Sequence, residues 1–349
     1  MSEQTTPPAE VSLHPDTARP QNPTVAAIRR FLASSAGRNI GLVVALIILI
    51  IIGTVTAGDR FASFQNVLSI LRLASITGVI SIGMTFVIIA GGIDLSVGSV
   101  LGLSSIVATM AAVQLAATGW WPLMIIIAIA VGALAGAVNG VIIAYGKVVA
   151  FMTTLAMLLA ARALAEILSN RTTQGVNVRG FLEFTRGDVF GVPNLIWMFV
   201  IVAIAGWILL NRTTFGRRTV AIGGNHEAAR LAGINVKRHM VYVYILSGVT
   251  SGIAAVMILG RTGAGTSTHG TLYELDAIAA VVVGGTLLIG GRGSIVGTVL
   301  GILIFNVLIN IFFLNNLNTS VQAITKGAII IAAVLIQQRF ASRGSRSTT

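Results

Sequence analysis

The acidic side chain best placed to do chemistry is Asp94, in residues 86–103, FVIIAGGIDLSVGSVLGL, where every other residue is uncharged. A carboxylate in such apolar sequence either carries protons along a transport path or accepts hydrogen bonds from amides freed at a helix break. Proton relays need other titratable groups. The histidines, His14, His226, His239 and His269, lie outside the apolar runs, and the other acid well within one is Glu166. Glu166 follows Arg162 by four residues, the spacing at which two helical side chains share a face and neutralise each other. With no cysteine, the chain has no disulfides, thiol catalysis or thiolate-held metal. It also lacks a GxxxxGK[ST] phosphate loop, an HExxH pair and a plausible Ser-His-Asp set. We therefore expect no catalytic residue, cofactor or metal here, and any ATP-driven step needs the nucleotide on another chain.

The residues around Asp94 define a break. Gly91-Gly92 is poor helix, and Asp94 before Leu95, Ser96 and Val97 has the form of an N-cap. A second stretch, residues 287–302 (LLIGGRGSIVGTVLGI), laid on residues 88–103 gives seven identities in sixteen, at Gly91, Gly92, Val97, Gly98, Val100, Leu101 and Gly102. There Gly290-Gly291-Arg292-Gly293 breaks the chain, Ser294 is the candidate cap, and Gly293 replaces Asp94. Either a parallel internal repeat or glycine-rich composition alone produces such a match. Irregular backbone at membrane depth is tolerated against protein or a water-filled cavity, so both breaks are candidates to line a path. The expected path and break residues are Gly91, Gly92, Asp94, Ser96, Asn139, Thr153, Gly290, Gly291, Ser294 and Asn306. The other polar residues within the apolar runs, Thr85, Ser96, Ser104, Asn139, Thr153, Thr154, Thr250, Ser251, Asn306 and Asn310, are uncharged, and their hydroxyls and amides suit a neutral, hydroxyl-rich solute, although such residues also join helices to one another.

These groups sit on an all-α membrane scaffold. The 349 residues are 55% hydrophobic and 10% charged, with a mean hydropathy of +0.91, far from a soluble domain. Runs long enough to cross the hydrocarbon number about ten, near 40–57, 70–90, 95–118, 121–145, 149–168, 194–211, 240–260, 276–289, 294–314 and 321–337. The eighth is short and ends in GGRG. The net charge of +12 reflects basic loops that set topology, so membrane lipid, not nucleic acid, is the expected surrounding. With the N-terminus inside, fourteen Lys and Arg fall in cytoplasmic segments and six in external ones, which places both termini in the cytoplasm. Residues 1–39 then form a disordered cytoplasmic tail, 40–337 a polytopic transmembrane domain and 338–349 a second cytoplasmic tail, with an external loop at 169–193.

The large cytoplasmic loop, residues 212–239, holds a short helix. Asn225 can cap it, Glu227, Ala228, Ala229, Arg230, Leu231 and Ala232 can form it, and Gly233 can end it. Ala228, Leu231 and Ala232 make a small apolar face beside Glu227 and Arg230, suited to a lipid surface or a protein cleft. NHEAARLAGI resembles the EAA-type coupling motif of bacterial ABC importer permeases. GGIDLSVGSVLGL and YELDAIAAVVVGGT resemble the ribose/arabinose/xylose/galactose branch, and the likeness runs over residues 64–337. The resemblance implies a type II fold like that of vitamin-B12 importers and a place in a bacterial inner membrane. Two permease copies, identical or closely paralogous, would join two ATPase subunits carrying ATP and Mg and a periplasmic sugar-binding protein. Asn225, Glu227, Ala228, Ala229, Arg230 and Gly233 would form the ATPase-coupling helix, and Arg171, Arg179, Arg186 and Arg261 would meet the binding protein. The chain departs from the branch at Ala150, where proline is common, and at Leu287 and Ile289, where hydroxyl residues are common. Rival readings are a proton-coupled transporter using Asp94, or a permease of this architecture for a nucleoside, a furanone signal or a branched-chain amino acid.

Overall fold

The computed structural model describes residues 35–318, 320–329, 331 and 335. Most of the expected tail 1–39, the end of the tenth span and the tail 338–349 lie outside the described residues. The helices run α1 (Ser35–Ala57), α2 (Asp59–Ala62), α3 (Phe64–Ile89), α4 (Val97–Thr109), α5 (Ala111–Ala117), α6 (Pro122–Ala144), α7 (Ala150–Ser169), α8 (Arg179–Arg186) and α9 (Asn194–Arg212). They continue as α10 (Thr214–Gly224), α11 (His226–Leu231), α12 (Val236–Thr262), α13 (Tyr273–Val283) and α14 (Ile295–Leu314).

Seven of these are long and apolar enough to cross a membrane, or eight if α4 and α5, bent by 61° at Met110, are one span. The expected count of about ten is not confirmed, and three runs account for the difference. The third run is this bent pair, because Met110 adopts an extended ψ of 141°. The eighth run contains an 11-residue helix, α13, that stops at Gly284; at 1.5 Å per residue it covers about 16 Å, roughly half the hydrocarbon thickness. Of the tenth, residues 320–329 are helical and the end is not described.

Helix ends follow from local chemistry. Ser63 caps α3 by accepting from the Asn66 amide, and Thr213 caps α10 by accepting from Gly216. Left-handed residues, Asn170 (φ 49°) and Gly263 (φ 73°), terminate α7 and α12. The most buried spans are α3 and α12, whereas α1 and α7 turn most of their surface outward. Close approach of α12 to α6 depends on glycine. A Cβ at Gly132 would overlap the Gly248 carbonyl, one at Gly248 the Gly132 carbonyl, and one at Gly136 the Tyr244 carbonyl. Small residues on facing stripes bring helix backbones together where apolar burial gives no drive between helices in lipid. Outside the bundle, β1 (Gln174–Gly175) and β4 (Ala264–Gly265) form one antiparallel ladder, and β2 (Asp188–Val189) and β3 (Val192–Pro193) another.

Candidate translocation path and coupling surface

Asp94 is buried, with 2% of its surface exposed, in the turn between α3 and α4. One carboxylate oxygen accepts from the Ser96 amide at 3.0 Å and the Ser96 hydroxyl at 2.6 Å. The other accepts from the Ser247 hydroxyl of α12 at 2.8 Å. The expectation of a helix cap needs correcting in one respect. Helix α4 begins at Val97, with Ser96 in the capping position and making no side-chain cap bond. Asp94 therefore closes the preceding turn and braces it against α12. Around this knot, Asn139 of α6 donates to the Ser96 hydroxyl at 2.9 Å. Of the two threonines that the sequence singled out on α7, Thr154 donates to the Ile93 carbonyl at 3.3 Å, and Thr153 bonds to Val149 of its own turn.

Two members of the knot were absent from the sequence expectation. Ser247 and Tyr244 stand three residues apart on α12, and the Tyr244 hydroxyl lies where a Cβ on Gly92 would be. The spacing of Tyr244, Ser247 and Ser251 at i, i+3 and i+7 was the signal available, a polar stripe within a buried helix. Arg162 also differs from expectation. It donates to the carbonyls of Ser267 and His269, tethering the segment before α13, while Glu166 pairs with Arg171 at 3.0 Å. A guanidinium offers several donors in a fixed fork, and two loop carbonyls satisfy them better than one carboxylate a helical turn away.

The second break lies against the first. Gly91 (φ 84°) and Gly290 (φ 89°), matched in the internal alignment, share the left-handed conformation that glycine adopts without strain. The Gly291 amide, also at positive φ (74°), donates to the Ile89 carbonyl at 2.8 Å. Ser294 caps α14, accepting from the Gly297 amide at 3.3 Å. Asn306 stands apart from this group; it donates to Ile302 on its own helix and faces a narrow cavity with Thr77, Asp276 and Ala280. A cavity of ≈ 480 Å³ opens at the α4–α5 bend between Gln114, Thr118, Gln174 and Asn177, and none of the ten expected path residues lines it.

In the loop 212–239, Asn225 accepts from the Ala228 amide at 2.9 Å and caps α11, which starts at His226, one residue before the expected start. Glu227 and Arg230 pair at 2.9 Å on the exposed side, and Gly233 (φ 81°) follows the helix. Ala229 is buried against the bundle, whereas Ala228 and Leu231 are exposed. Among the four arginines expected on the external side, Arg171 pairs with Glu166, Arg179 with Glu183 at 2.6 Å, and Arg186 donates to the Gly260 carbonyl. Arg261 is exposed and forms no ion pair among the described residues.

Residues 66–334 match the family described as "Branched-chain amino acid transport system / permease component". The ribose import permease protein RbsC of Haemophilus influenzae is 41% identical over 299 residues, covering 84% of this chain and 90% of that protein. Its counterpart in Escherichia coli K12 is 38% identical over 323 residues, covering 90% and 98%. The xylose transport system permease protein XylH of E. coli K12 is 36% identical, covering 84% and 90%. With the match spanning the bundle from α3 through α14, and similar proteins aligned over nearly their whole length, the chain belongs to this family of transport permeases.

Proposed function

We propose that this protein forms the membrane pathway of an ABC importer for a monosaccharide, working as a permease subunit without covalent chemistry of its own. The observation that carries this reading is the near full-length similarity to ribose import permeases. The side chains around the first break agree with it. Asp94 is held by two hydroxyls and an amide, and Arg162 by two carbonyls, so in this structure both side chains are bonded to the protein itself. In the proposed assembly two permease copies, identical or paralogous, sit in a bacterial inner membrane with their termini in the cytoplasm. Two ATPase subunits receive α11, and a periplasmic sugar-binding protein docks on the external face near Arg261.

The test is reconstitution of the chain with its co-purifying ATPase and binding protein in liposomes, using labelled D-ribose. Uptake that requires ATP is expected, and uptake driven by a pH gradient without the ATPase would sink the proposal. The same preparation tests the seat of α11. Leu231 is an exposed apolar side chain at the tip of that helix, and burying a leucine contributes about 1.5–3 kcal/mol. Leu231→Glu should weaken ATPase co-purification by roughly tenfold or more. Glu227→Ala should matter less, because an exposed ion pair contributes about 0–1 kcal/mol. Equal retention of the ATPase by wild type and Leu231→Glu would remove α11 from the interface.

A further inference from the structure

Three glycine-bearing backbones from distant parts of the chain meet at one point. The last turn of α10 carries Gly223 and Gly224, immediately before the Asn225 cap of α11. Gly223 packs directly on the hydrogen bond between the two breaks. A Cβ there would overlap the Ile89 carbonyl oxygen and lie 2.6 Å from the Gly291 amide nitrogen, the acceptor and donor of that bond. On the other side, a Cβ at Gly290 would lie 3.0 Å from the Gly223 oxygen and 3.0 Å from the Gly91 Cα. At Gly223 and Gly290 the nearest atoms are all backbone, so displacement of one segment there is passed to the others without a rotamer to absorb it. The segment is anchored beside this point by Ile222, which is buried in the main core.

We propose that Gly223 is the positioning residue through which movement of α11 reaches the pathway. The end of α10, the first break and the second break move as one unit, held by the Ile89–Gly291 hydrogen bond beneath Gly223. This rests on the reading of the chain as an importer permease with α11 at the ATPase.

The neighbouring glycine supplies the control. Gly224 has open space where its Cβ would lie, within 4 Å of nothing, and neither glycine has positive φ. Alanine is favoured over glycine in a helix, so the two Gly→Ala changes differ chiefly in the contact that Gly223 makes. In the full importer reconstituted with D-ribose, Gly223→Ala should lower solute moved per ATP hydrolysed by about tenfold while ATPase association persists. Gly224→Ala should stay within about twofold of wild type. Equal coupling in Gly223→Ala and Gly224→Ala overturns the proposal. Should Gly223→Ala fail to fold, Ile222→Ala, which loosens the anchor without adding a clash, decides: wild-type coupling there also overturns it.

A second measurement does not depend on the solute. The chain has no cysteine, so spin labels can be placed at Val220 on α10 and at Ile289 beside the second break, both exposed. In the wild-type complex with the ATPase, their distance should be the same in the nucleotide-free and ATP-trapped states, and Gly223→Ala should broaden it. A wild-type distance that changes with nucleotide overturns the rigid junction. Failure of wild type to import D-ribose with an unchanged label distance would instead count against the proposed sugar and leave the junction supported.

Discussion

Replacing Asp94 with leucine is expected to destabilise the protein and abolish import, whereas Asp94→Asn should fold and retain most activity. The difference lies in which hydrogen bonds each side chain can keep. Asparagine can still accept from the Ser96 amide and hydroxyl, and its amide can donate to Ser247 once that hydroxyl turns. Leucine leaves three donors without their acceptor in a site where water does not reach, at a cost of about 2–4 kcal/mol after the hydroxyls turn to nearby carbonyls. A buried carboxylate whose partners are all uncharged also carries a desolvation cost that asparagine avoids, so Asp94→Asn should melt no lower than wild type. Thermal unfolding in detergent, with uptake measured in parallel, checks both parts. An asparagine variant that is folded and stable yet imports nothing would show that the charge itself is needed, and would restore the proton-coupled alternative.

The Asp94 example also shows how far the sequence was readable. That Asp94 would accept from nearby backbone was legible, but the sequence pointed to a cap of the next helix, whereas the bond to the Ser96 amide closes the turn before that helix. The bond to Ser247 was not legible, because the partner lies 153 residues away on a helix whose other residues are mostly apolar. Arg162 failed for the opposite reason. The i, i+4 rule supplied Glu166 as a nearby partner, but tertiary structure brought the carbonyls of Ser267 and His269 within reach. Span counting found the seven long apolar helices, but it missed the bend at Met110 within 95–118 and read 276–289 as a span although its helix has only 11 residues. Hydropathy does not distinguish a helix from apolar irregular chain, and Gly284-Gly285 ends α13 while Thr286, Leu287 and Leu288 continue the apolar run. The cap at Asn225 was legible from residue type and spacing alone. The meeting of Gly223 with Ile89, Gly290 and Gly291 was not, because these residues are far apart in sequence and only the packing of α10 brings them together.

The α6–α12 contact should be the least tolerant place in the bundle, and Gly248→Leu is expected to prevent a stable fold. Gly132 and Gly248 face each other so closely that a Cβ on either overlaps the other's carbonyl oxygen, and Gly252 similarly meets the Ala128 carbonyl. Overpacking a core by a few methylenes typically costs 1–3 kcal/mol when neighbouring side chains can shift; against rigid backbone the cost should exceed about 3 kcal/mol. Relief requires α12 to move away from α6. That movement carries Ser247 away from Asp94, and it separates Tyr244 from Gly136, so the polar knot loses its α12 support together with the packing. The two large effects are thus coupled, and Gly248→Leu with Asp94→Leu should be less damaging together than the sum of the two alone. Gly41→Leu is the control, because α1 leaves open space around Gly41 and the change there should stay within about 0.5 kcal/mol. Size-exclusion profiles and melting temperatures of the detergent-solubilised chain give the comparison. A Gly248→Leu protein that is monodisperse and melts like wild type would mean that the α6 and α12 backbones are not in contact, and the bracing of Asp94 by α12 would fall with it.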